Sequence, residues 1–298
     1  MLSRPASAGR QAGGQRSANP KYWFRMPADS FSSAEQIRRF YRRLAAIWGP
    51  QHWWPAETGF EVIVGAYLTQ NTSWTNVERA VANLRAAGKL TLDAMREIPL
   101  DELETLVRPA GYFRQKAQRL KNFVAFLDTQ FEGRLDRMFA ADLTELRRQL
   151  LQLNGVGPET ADSILLYAGN LPVFVVDAYT RRILERHQLL PSGADYESIR
   201  ALFERALGKL AAHPDHRLQR RTAHNLAGAA HASSSVSGAP RPPLAQIYNE
   251  MHALIVGIGK NFCLKKEARC KQCPLSCFLP PPPAVRSSGS RQKEPIQE

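Results

Sequence analysis

The chain has 298 residues, and its 40 lysines and arginines outnumber its 27 acidic residues, for a formal net charge of +13. This excess favours a polyanionic partner, although the basic N-terminal tail supplies part of it. No apolar run approaches the roughly 20 residues of a membrane-spanning helix, and residues 1–30 lack the apolar core of a secretory signal. We therefore expect a soluble, cytoplasmic protein. The acid-poor start, which carries Arg and Ser, leaves an organelle transit peptide open as the alternative.

Helical periodicity covers most of the chain. Ser33, with Gln36 three residues later, has the pattern of a capping box, and apolar residues from Ile37 to Trp48 recur at helical spacing. Val173–Val176 is the one β-like run, too short and isolated to make a sheet. The chain is therefore predicted to be mostly α-helical. Further helices are predicted at about 60–69, 74–87, 101–108, 114–130, 142–153, 159–169, 177–188, 195–211 and 244–259.

Three segments differ from the helical part in composition. Residues 1–31 are predicted to be a disordered basic tail, residues 212–243 a flexible insertion rich in Ser, Ala, Gly and Pro, and residues 280–298 a disordered tail. The histidines of the insertion match no metal-ligand spacing, and we interpret them as part of a solvated loop.

The run from Leu153 to Ala161 contains the most informative motif. A Gly-Val-Gly turn lies here between two predicted helices, and such a turn exposes successive backbone N–H groups with the positive end of the next helix behind them. It can hold a phosphate without reading a base. The alternative is a glycine turn that only packs two helices together. The residues predicted to clamp a nucleic-acid backbone are Asn154, Gly155, Val156, Gly157 and Pro158.

Asp177 follows twenty residues after Gly157 and is the candidate catalytic residue. A carboxylate beside a gripped strand can stabilise positive charge that develops on a sugar, and it can orient or deprotonate a water molecule. The alternative is an N-cap of the helix that begins with Ala178.

The chain's four cysteines, Cys263, Cys270, Cys273 and Cys277, lie within fifteen residues of one another. Disulfide frameworks are normally spread along a small secreted chain. The clustering therefore indicates a metal or metal-cluster site in a reducing compartment.

The glycine turn, Asp177 and the cysteines together resemble the helix-hairpin-helix (HhH-GPD) DNA glycosylase superfamily, endonuclease III group, from about Phe60 to Cys277. The resemblance implies an all-α, two-lobed fold, with a six-helix barrel at 52–171 and a second lobe made of 32–51 and 172–279. The DNA-facing cleft would lie between the lobes. It further implies a monomeric, nucleoid-associated enzyme of base-excision repair that acts on double-stranded DNA containing damaged bases.

The cysteines would hold a [4Fe–4S] cluster by this resemblance. Their last spacing, between Cys273 and Cys277, is two residues shorter than the family's, which leaves zinc as the alternative.

Glu159 departs from the family pattern. Bifunctional endonuclease III-like enzymes carry a lysine at this position. Its amine attacks the sugar and forms a Schiff base, through which the strand is cleaved. A carboxylate cannot form that imine, so the resemblance implies a monofunctional glycosylase. Lys260 could restore weak lyase activity, which keeps a bifunctional glycosylase and lyase acting on oxidised pyrimidines as the alternative. A non-catalytic DNA-binding module is the second alternative.

Glu159 and four short stretches are similar to the 3-methyladenine DNA glycosylase branch. These stretches are Trp53–Pro55, Leu68–Thr72, Gly111–Ala117 and Gly259-Lys260. The similarity implies hydrolysis of the N-glycosidic bond of alkylated purines, whose cationic rings bind aromatic side chains by stacking and cation–π attraction. The implied base pocket consists of Trp53, Trp54, Trp74 and Lys260, although each tryptophan could instead be part of the core.

The same resemblance implies a wedge that fills the gap left by an extruded nucleotide. The wedge residues would be Gln70 and Tyr112, the alternative being a plain role at a helix end. Further phosphate contacts are expected from Arg114, Lys116, Arg119 and Lys121, unless this charge run is only a solvated helix face.

Overall fold

The computed structural model describes residues 31–212 and 233–280. In these ranges the chain forms twelve α-helices and no β-strand, so the predicted all-α fold is confirmed. No helix in this part of the chain is long and apolar enough to cross a membrane. Most of both predicted tails and residues 213–232 of the predicted insertion lie outside the described ranges. The helices are α1 (Ser33–Trp48), α2 (Gly59–Leu68), α3 (Trp74–Ala86), α4 (Leu92–Glu97), α5 (Leu100–Val107), α6 (Phe113–Phe131), α7 (Leu135–Phe139), α8 (Leu143–Gln152), α9 (Pro158–Ser163), α10 (Ala178–Arg186), α11 (Tyr196–Ala212) and α12 (Pro243–Asn261).

Each helix predicted from periodicity is present, and only one is interrupted. The helix predicted at about 159–169 divides into α9 and a π-helical turn, Ile164–Ala168. Helices α4 and α7 were not predicted, because six and five residues are too few for an apolar stripe to repeat.

Helix α1 begins at Ser33, one residue earlier than predicted. Ser32, not Ser33, is the N-cap, and its hydroxyl accepts a hydrogen bond from Glu35 N. The Ser33 hydroxyl instead donates to Leu189 O at 2.7 Å. The predicted apolar stripe is buried and packs against α11 and α12.

The helices pack in two groups. Helices α2 to α9 pack against one another, with α2 almost wholly buried among them, whereas α1, α10, α11 and α12 form the second group. The π-helical turn contacts both α2 and α12, so it joins the groups. The boundaries of the two predicted lobes stay a prediction.

The segment Val173–Val176 leads from the first group to Asp177. Its four side chains are buried, and it forms no sheet. Its backbone is fixed by side chains instead, because Phe174 N donates to the Glu204 carboxylate at 3.0 Å and Val176 N donates to the Tyr196 hydroxyl at 3.2 Å. These bonds set the position at which Asp177 leaves the core.

Residues 233–242, the last part of the predicted flexible insertion, pack as a turn against the loop that precedes α2. Val236 N donates to Ala56 O at 3.1 Å, and the Ser234 hydroxyl lies 3.4 Å from Trp54 O. Arg241 donates to the Asn170 side chain at 2.7 Å. These contacts hold this part of the segment to the fold, which its polar composition did not predict.

Candidate active site

In the glycine turn between α8 and α9, the backbone lies very close to the Arg119 side chain. Gly155 has a positive φ of 77°, and a Cβ there would lie 1.9 Å from Arg119 Nε, so no larger residue fits. Val156 is buried and anchors the turn. Gly157 is the N-cap of α9, Pro158 is the first helical residue, and no side chain caps this helix. The first N–H groups of α9 therefore face outward, where an anion can meet them.

Gln70 braces this turn. Its amide donates to Gly155 O at 2.9 Å and to the Thr160 hydroxyl at 3.0 Å, and Arg119 donates to its Oε1 at 2.6 Å. A side chain held by three bonds would have to release them before entering DNA. Its wedge role stays a prediction, and the bracing role was missed.

Tyr112 has the exposure that a wedge requires. It precedes α6 in the left-handed conformation, with φ of 46°, and 67% of its surface is open to solvent. Among the described residues, it is one of two large apolar side chains that are exposed.

Asp177 has one carboxylate oxygen engaged and one turned towards a histidine. Oδ1 accepts hydrogen bonds from Thr180 N at 2.7 Å and from the Thr180 hydroxyl at 2.8 Å, which makes Asp177 the N-cap of α10. Oδ2 lies 4.0 Å from His252 Nε2, and 12% of the side chain is exposed. The N-cap alternative is therefore realised, and it leaves the second oxygen available for chemistry.

Glu159, on the first turn of α9, lies within electrostatic range of Asp177 and Arg181. Desolvation and, to a smaller extent, the Asp177 charge raise the pKa of Glu159, and Arg181 lowers it, so that the pKa lies at about 7. Glu159 is nevertheless exposed, so solvent water reduces this increase in its pKa. Glu159 and Asp177 thus lie close enough for their charges to interact.

A wall of aromatic rings runs from Asp177 towards α3. His252 contacts Tyr167 edge to face at 5.7 Å, Tyr167 contacts Trp54 at 5.3 Å, and Trp54 meets Trp74 edge to face at 5.1 Å. Trp53 is buried against His252 with 6.0 Å between ring centres. Both predicted functions of Trp53 and Trp54, core packing and wall of a site, are compatible with this arrangement.

Trp54 and Trp74 line an open cavity of about 230 Å³ between α2 and α3. The cavity is partly charged, because Glu78 and an ion pair between Glu61 and Arg85 also line it. Glu78 accepts a hydrogen bond from the Trp74 indole at 2.7 Å, which fixes the ring.

Lys260, near the end of α12, lies within electrostatic range of Glu78. Desolvation lowers the pKa of Lys260 and Glu78 raises it, although the residue as a whole is exposed. Of the four predicted pocket residues, Trp54 and Trp74 thus line one cavity, whereas Trp53 and Lys260 are not among its lining residues.

Two of the four expected phosphate contacts point elsewhere. Lys116 is buried, and its ammonium donates to Leu68 O at 2.9 Å and to Ala110 O at 2.7 Å, where it satisfies carbonyls at two helix ends. Burial lowers its pKa to about 8. Lys121 likewise donates to two carbonyls near the end of α4. The expectation for Lys116 is wrong, because its side chain points into the protein.

A buried ion pair behind the site was not predicted. Asp162 is fully buried on α9, and Arg147 of α8 binds it through two bonds of 2.7 and 3.1 Å. Burial raises the pKa of Asp162 while Arg147 opposes this, and Tyr196 also contacts the carboxylate. The pair fixes α8 to α9 and hence the geometry of the glycine turn.

The four cysteines lie in one loop after α12. Arg186 donates to Cys263 Sγ at 3.0 Å, and Leu275 N donates to Cys273 Sγ at 3.4 Å. Burial raises the pKa of the Cys273 thiol to about 11, the hydrogen bond from Leu275 N lowers it, and the charges of the other three cysteines raise it. Three of them, Cys263, Cys270 and Cys273, line a small, mostly apolar cavity.

No three Cys, His, Asp or Glu side chains in the described ranges converge closely enough to hold a single metal ion. Three cysteines around a small cavity, with the fourth in the same loop and hydrogen-bond donors to two of the sulfurs, are a donor set that fits an iron–sulfur cluster.

Comparison with known proteins identifies the family. Residues 64–209 match the family described as "HhH-GPD superfamily base excision DNA repair protein". The chain is 41% identical over 246 residues to "Putative DNA repair glycosylase MJ1434" of Methanocaldococcus jannaschii, an alignment that covers 82% of this chain and 96% of that protein. The chain belongs to the HhH-GPD superfamily. It is a DNA glycosylase of base-excision repair, as the resemblance predicted.

Solved structures of HhH-GPD proteins have the same fold. The 3-methyladenine DNA glycosylase MagIII of H. pylori, bound to 1,N6-ethenoadenine, is 26% identical with a TM-score of 0.61 over 77% of this chain and 98% of that one. A trapped covalent complex of endonuclease III with DNA has a TM-score of 0.59 at 20% identity, over 83% of this chain and 95% of that one. The second likeness concerns the fold alone.

Proposed function

We propose that this DNA glycosylase is monofunctional and hydrolyses the N-glycosidic bond of alkylated purines in double-stranded DNA. The observation that carries the proposal is the pair of carboxylates at the cleft, Asp177 with one oxygen available and Glu159 where a lyase would need a lysine. The 26% identity with a 3-methyladenine glycosylase supports the substrate class.

Asp177 is the catalytic carboxylate. Cleavage of a base–sugar bond builds positive charge on the sugar, and a nearby anion in a partly desolvated site lowers the energy of that state. Its bonds to Thr180 hold Oδ1 in place, so Oδ2 can face the sugar or an attacking water without reorganisation.

Glu159 accounts for the absence of a lyase step. A Schiff base needs an amine at the sugar, and Glu159 supplies a carboxyl group instead. An alkylated purine is cationic and leaves as a neutral base, so base release needs no covalent intermediate with the protein.

The base pocket consists of Trp53, Trp54, Trp74 and Lys260. Aromatic faces attract a cationic ring by stacking and by cation–π interaction. The bond from Trp74 to Glu78 holds one ring at a fixed angle, and Glu78 adds negative charge near a cationic base.

Residues 154–158 grip the backbone of the DNA, while Tyr112 and Gln70 fill the gap that base extrusion leaves. Exposed N–H groups at the start of α9 suit a phosphate, and the exposure of Tyr112 suits insertion into a base stack. We propose that a cytoplasmic monomer carries out these steps.

The four cysteines would hold a [4Fe–4S] cluster, with zinc as the alternative, because thiolates bind both groups and three of the cysteines line one small cavity. When bound, the cluster would fix the loop after α12. Base hydrolysis does not require redox chemistry.

A bifunctional enzyme is the alternative that one observation favours. Desolvation lowers the pKa of Lys260, which increases the share of the free amine that could attack a sugar. If the Lys260 amine attacks the sugar, a Lys260→Ala variant should lose strand scission and keep base release.

The deciding experiment incubates the full chain with duplexes that carry single defined lesions, alkylated purines and oxidised pyrimidines among them, and scores free base and strand scission separately. We expect release of alkylated purines without scission. Strong borohydride trapping on abasic DNA would contradict the monofunctional proposal. Binding without base release from any lesion would favour a non-catalytic module.

A further inference from the structure

His252 lies directly behind Asp177. It is 5% exposed on α12, between the rings of Tyr167 and Trp53. Neither the glycine turn nor the proposed base pocket uses it. Burying an imidazole is unfavourable unless its nitrogen atoms find hydrogen-bond partners, because they lose their hydration.

Its hydrogen-bond partner fixes the tautomer. His252 Nδ1 lies 3.2 Å from Val175 O, and a carbonyl oxygen can only accept, so Nδ1 carries a hydrogen and donates it. A neutral ring then presents the lone pair of Nε2 to Asp177 Oδ2, 4.0 Å away.

Two atoms that each carry lone pairs attract one another only if a proton lies between them. At 4.0 Å the pair makes no direct hydrogen bond, but catalytic bonds are often long before substrate binds. Because Thr180 already occupies Oδ1, Oδ2 is the oxygen that can exchange a proton with His252.

The charges around His252 act in opposite directions. Burial lowers its pKa, whereas the Asp177 carboxylate and the Val175 carbonyl raise it. Tyr167 stays neutral, since burial holds its pKa well above its ordinary value, and Trp53 does not titrate. Glu159, from α9, acts on Asp177. Among these groups, the Asp177 carboxylate therefore has the largest electrostatic effect on the protonation of His252.

We propose that His252 is a positioning residue that takes from Asp177 the proton of the attacking water. The inference rests on the proposed role of Asp177. The C1′–N bond breaks and its electron pair stays with the cationic purine, which leaves as a neutral base. The water oxygen bonds to C1′, one water proton passes to Asp177 Oδ2, and His252 Nε2 receives it. Solvent takes the proton after product release.

The pair is suited to a cationic base because such a base needs no proton to leave. The site must therefore remove one proton and donate none. Burial makes the charged imidazolium form of His252 unfavourable unless an ionised Asp177 lies beside it. His252 therefore holds the proton only while the two side chains remain close together.

A titration that needs no activity tests the coupling. The imidazole ¹⁵N signals of the full-length protein are followed against pH in the wild type and in Asp177→Asn, with His252→Gln used to assign the His252 signal. We expect His252 to titrate at lower pH in Asp177→Asn, because the charge that raises its pKa is gone. His52 serves as the reference within the same spectra. An unchanged His252 titration would overturn the proposal.

Kinetics test the consequence. Single-turnover base release from a duplex with one alkylated purine is measured against pH for wild type, His252→Gln and His252→Phe. We expect the rate to fall about 10²-fold in His252→Phe with a displaced acid limb, and unchanged affinity for DNA. Wild-type rates and pH profile in both variants would refute the role of His252, while full activity in Asp177→Asn would refute the proposed function itself. If His252→Phe does not fold, His252→Gln and the titration decide.

Discussion

Replacing Asp177 by asparagine separates its N-cap role from its proposed catalytic role. The side-chain oxygen of asparagine can still accept from Thr180 N, and asparagine is as good an N-cap as aspartate. The negative charge disappears. Helix α10 should therefore persist, and the free energy of unfolding should change by less than about 0.5 kcal/mol.

The expected loss of rate follows from the charge. A unit positive charge about 4 Å from the carboxylate, at an effective dielectric constant near 20, gains about 4 kcal/mol. Since about 1.4 kcal/mol in the barrier is a factor of ten, base release should slow by about 10³-fold. The 12% exposure of the Asp177 side chain supports a dielectric constant below that of bulk water.

The assay is single-turnover release of an alkylated purine at saturating protein, with thermal unfolding of each variant measured in parallel. Asp142→Asn is the matched control, because Asp142 caps α8 by accepting from Glu145 N at 3.0 Å. It should keep the wild-type rate. If Asp177→Asn stays within about threefold of wild type while folding normally, the electrostatic argument is wrong.

Three further predictions follow from the same structure. Gly157→Ala should fold normally, since nothing lies within 4 Å of the new Cβ, yet bind undamaged duplex about tenfold more weakly; unchanged binding would reject the clamp. The folded state raises the pKa of Glu159 from 4.5 to about 7, so it binds more protons than the unfolded state between these values, and this group costs stability as pH rises through them. Glu159→Gln should therefore gain in melting temperature relative to wild type between about pH 5 and pH 8, and a constant difference would contradict the shift. Asp162→Asn removes the buried charge opposite Arg147, whose own side chain is 16% exposed, and should lower the free energy of unfolding in urea by about 3 kcal/mol, whereas Asp136→Asn, on an exposed pair, should change little.

Local patterns predicted the helices well. The stripe from Ile37 to Trp48 is buried as expected, and the Gly155 turn adopts the positive φ that only glycine tolerates readily. The two interpretations of Asp177, as N-cap and as candidate catalyst, proved compatible because a carboxylate has two oxygens. Each of these features is encoded within a few consecutive residues.

Features that depend on distant residues could not be predicted in this way. Gln70 bonds to Gly155, 85 residues away, and the Lys116 ammonium reaches Leu68, 48 residues away. Charge alone made Lys116 a surface candidate, but a long side chain can turn inward when two carbonyls at helix ends need donors. The partners, rather than the residue type, decide its direction.

Helix α12 connects the segment that carries Trp53 to the segment that leads to Asp177. Asn249 donates to Trp53 O at 2.7 Å, Glu250 accepts from Gln51 N at 2.8 Å, and His252 lies 3.2 Å from Val175 O. Three polar side chains within four consecutive positions of α12 thus bind the backbone of residues 51–53 and the backbone of Val175. Burying such groups is costly unless each is bonded, so sliding either segment by one residue would break these bonds. One helix therefore sets the spacing between the segment that carries Trp53 and the segment that carries Asp177.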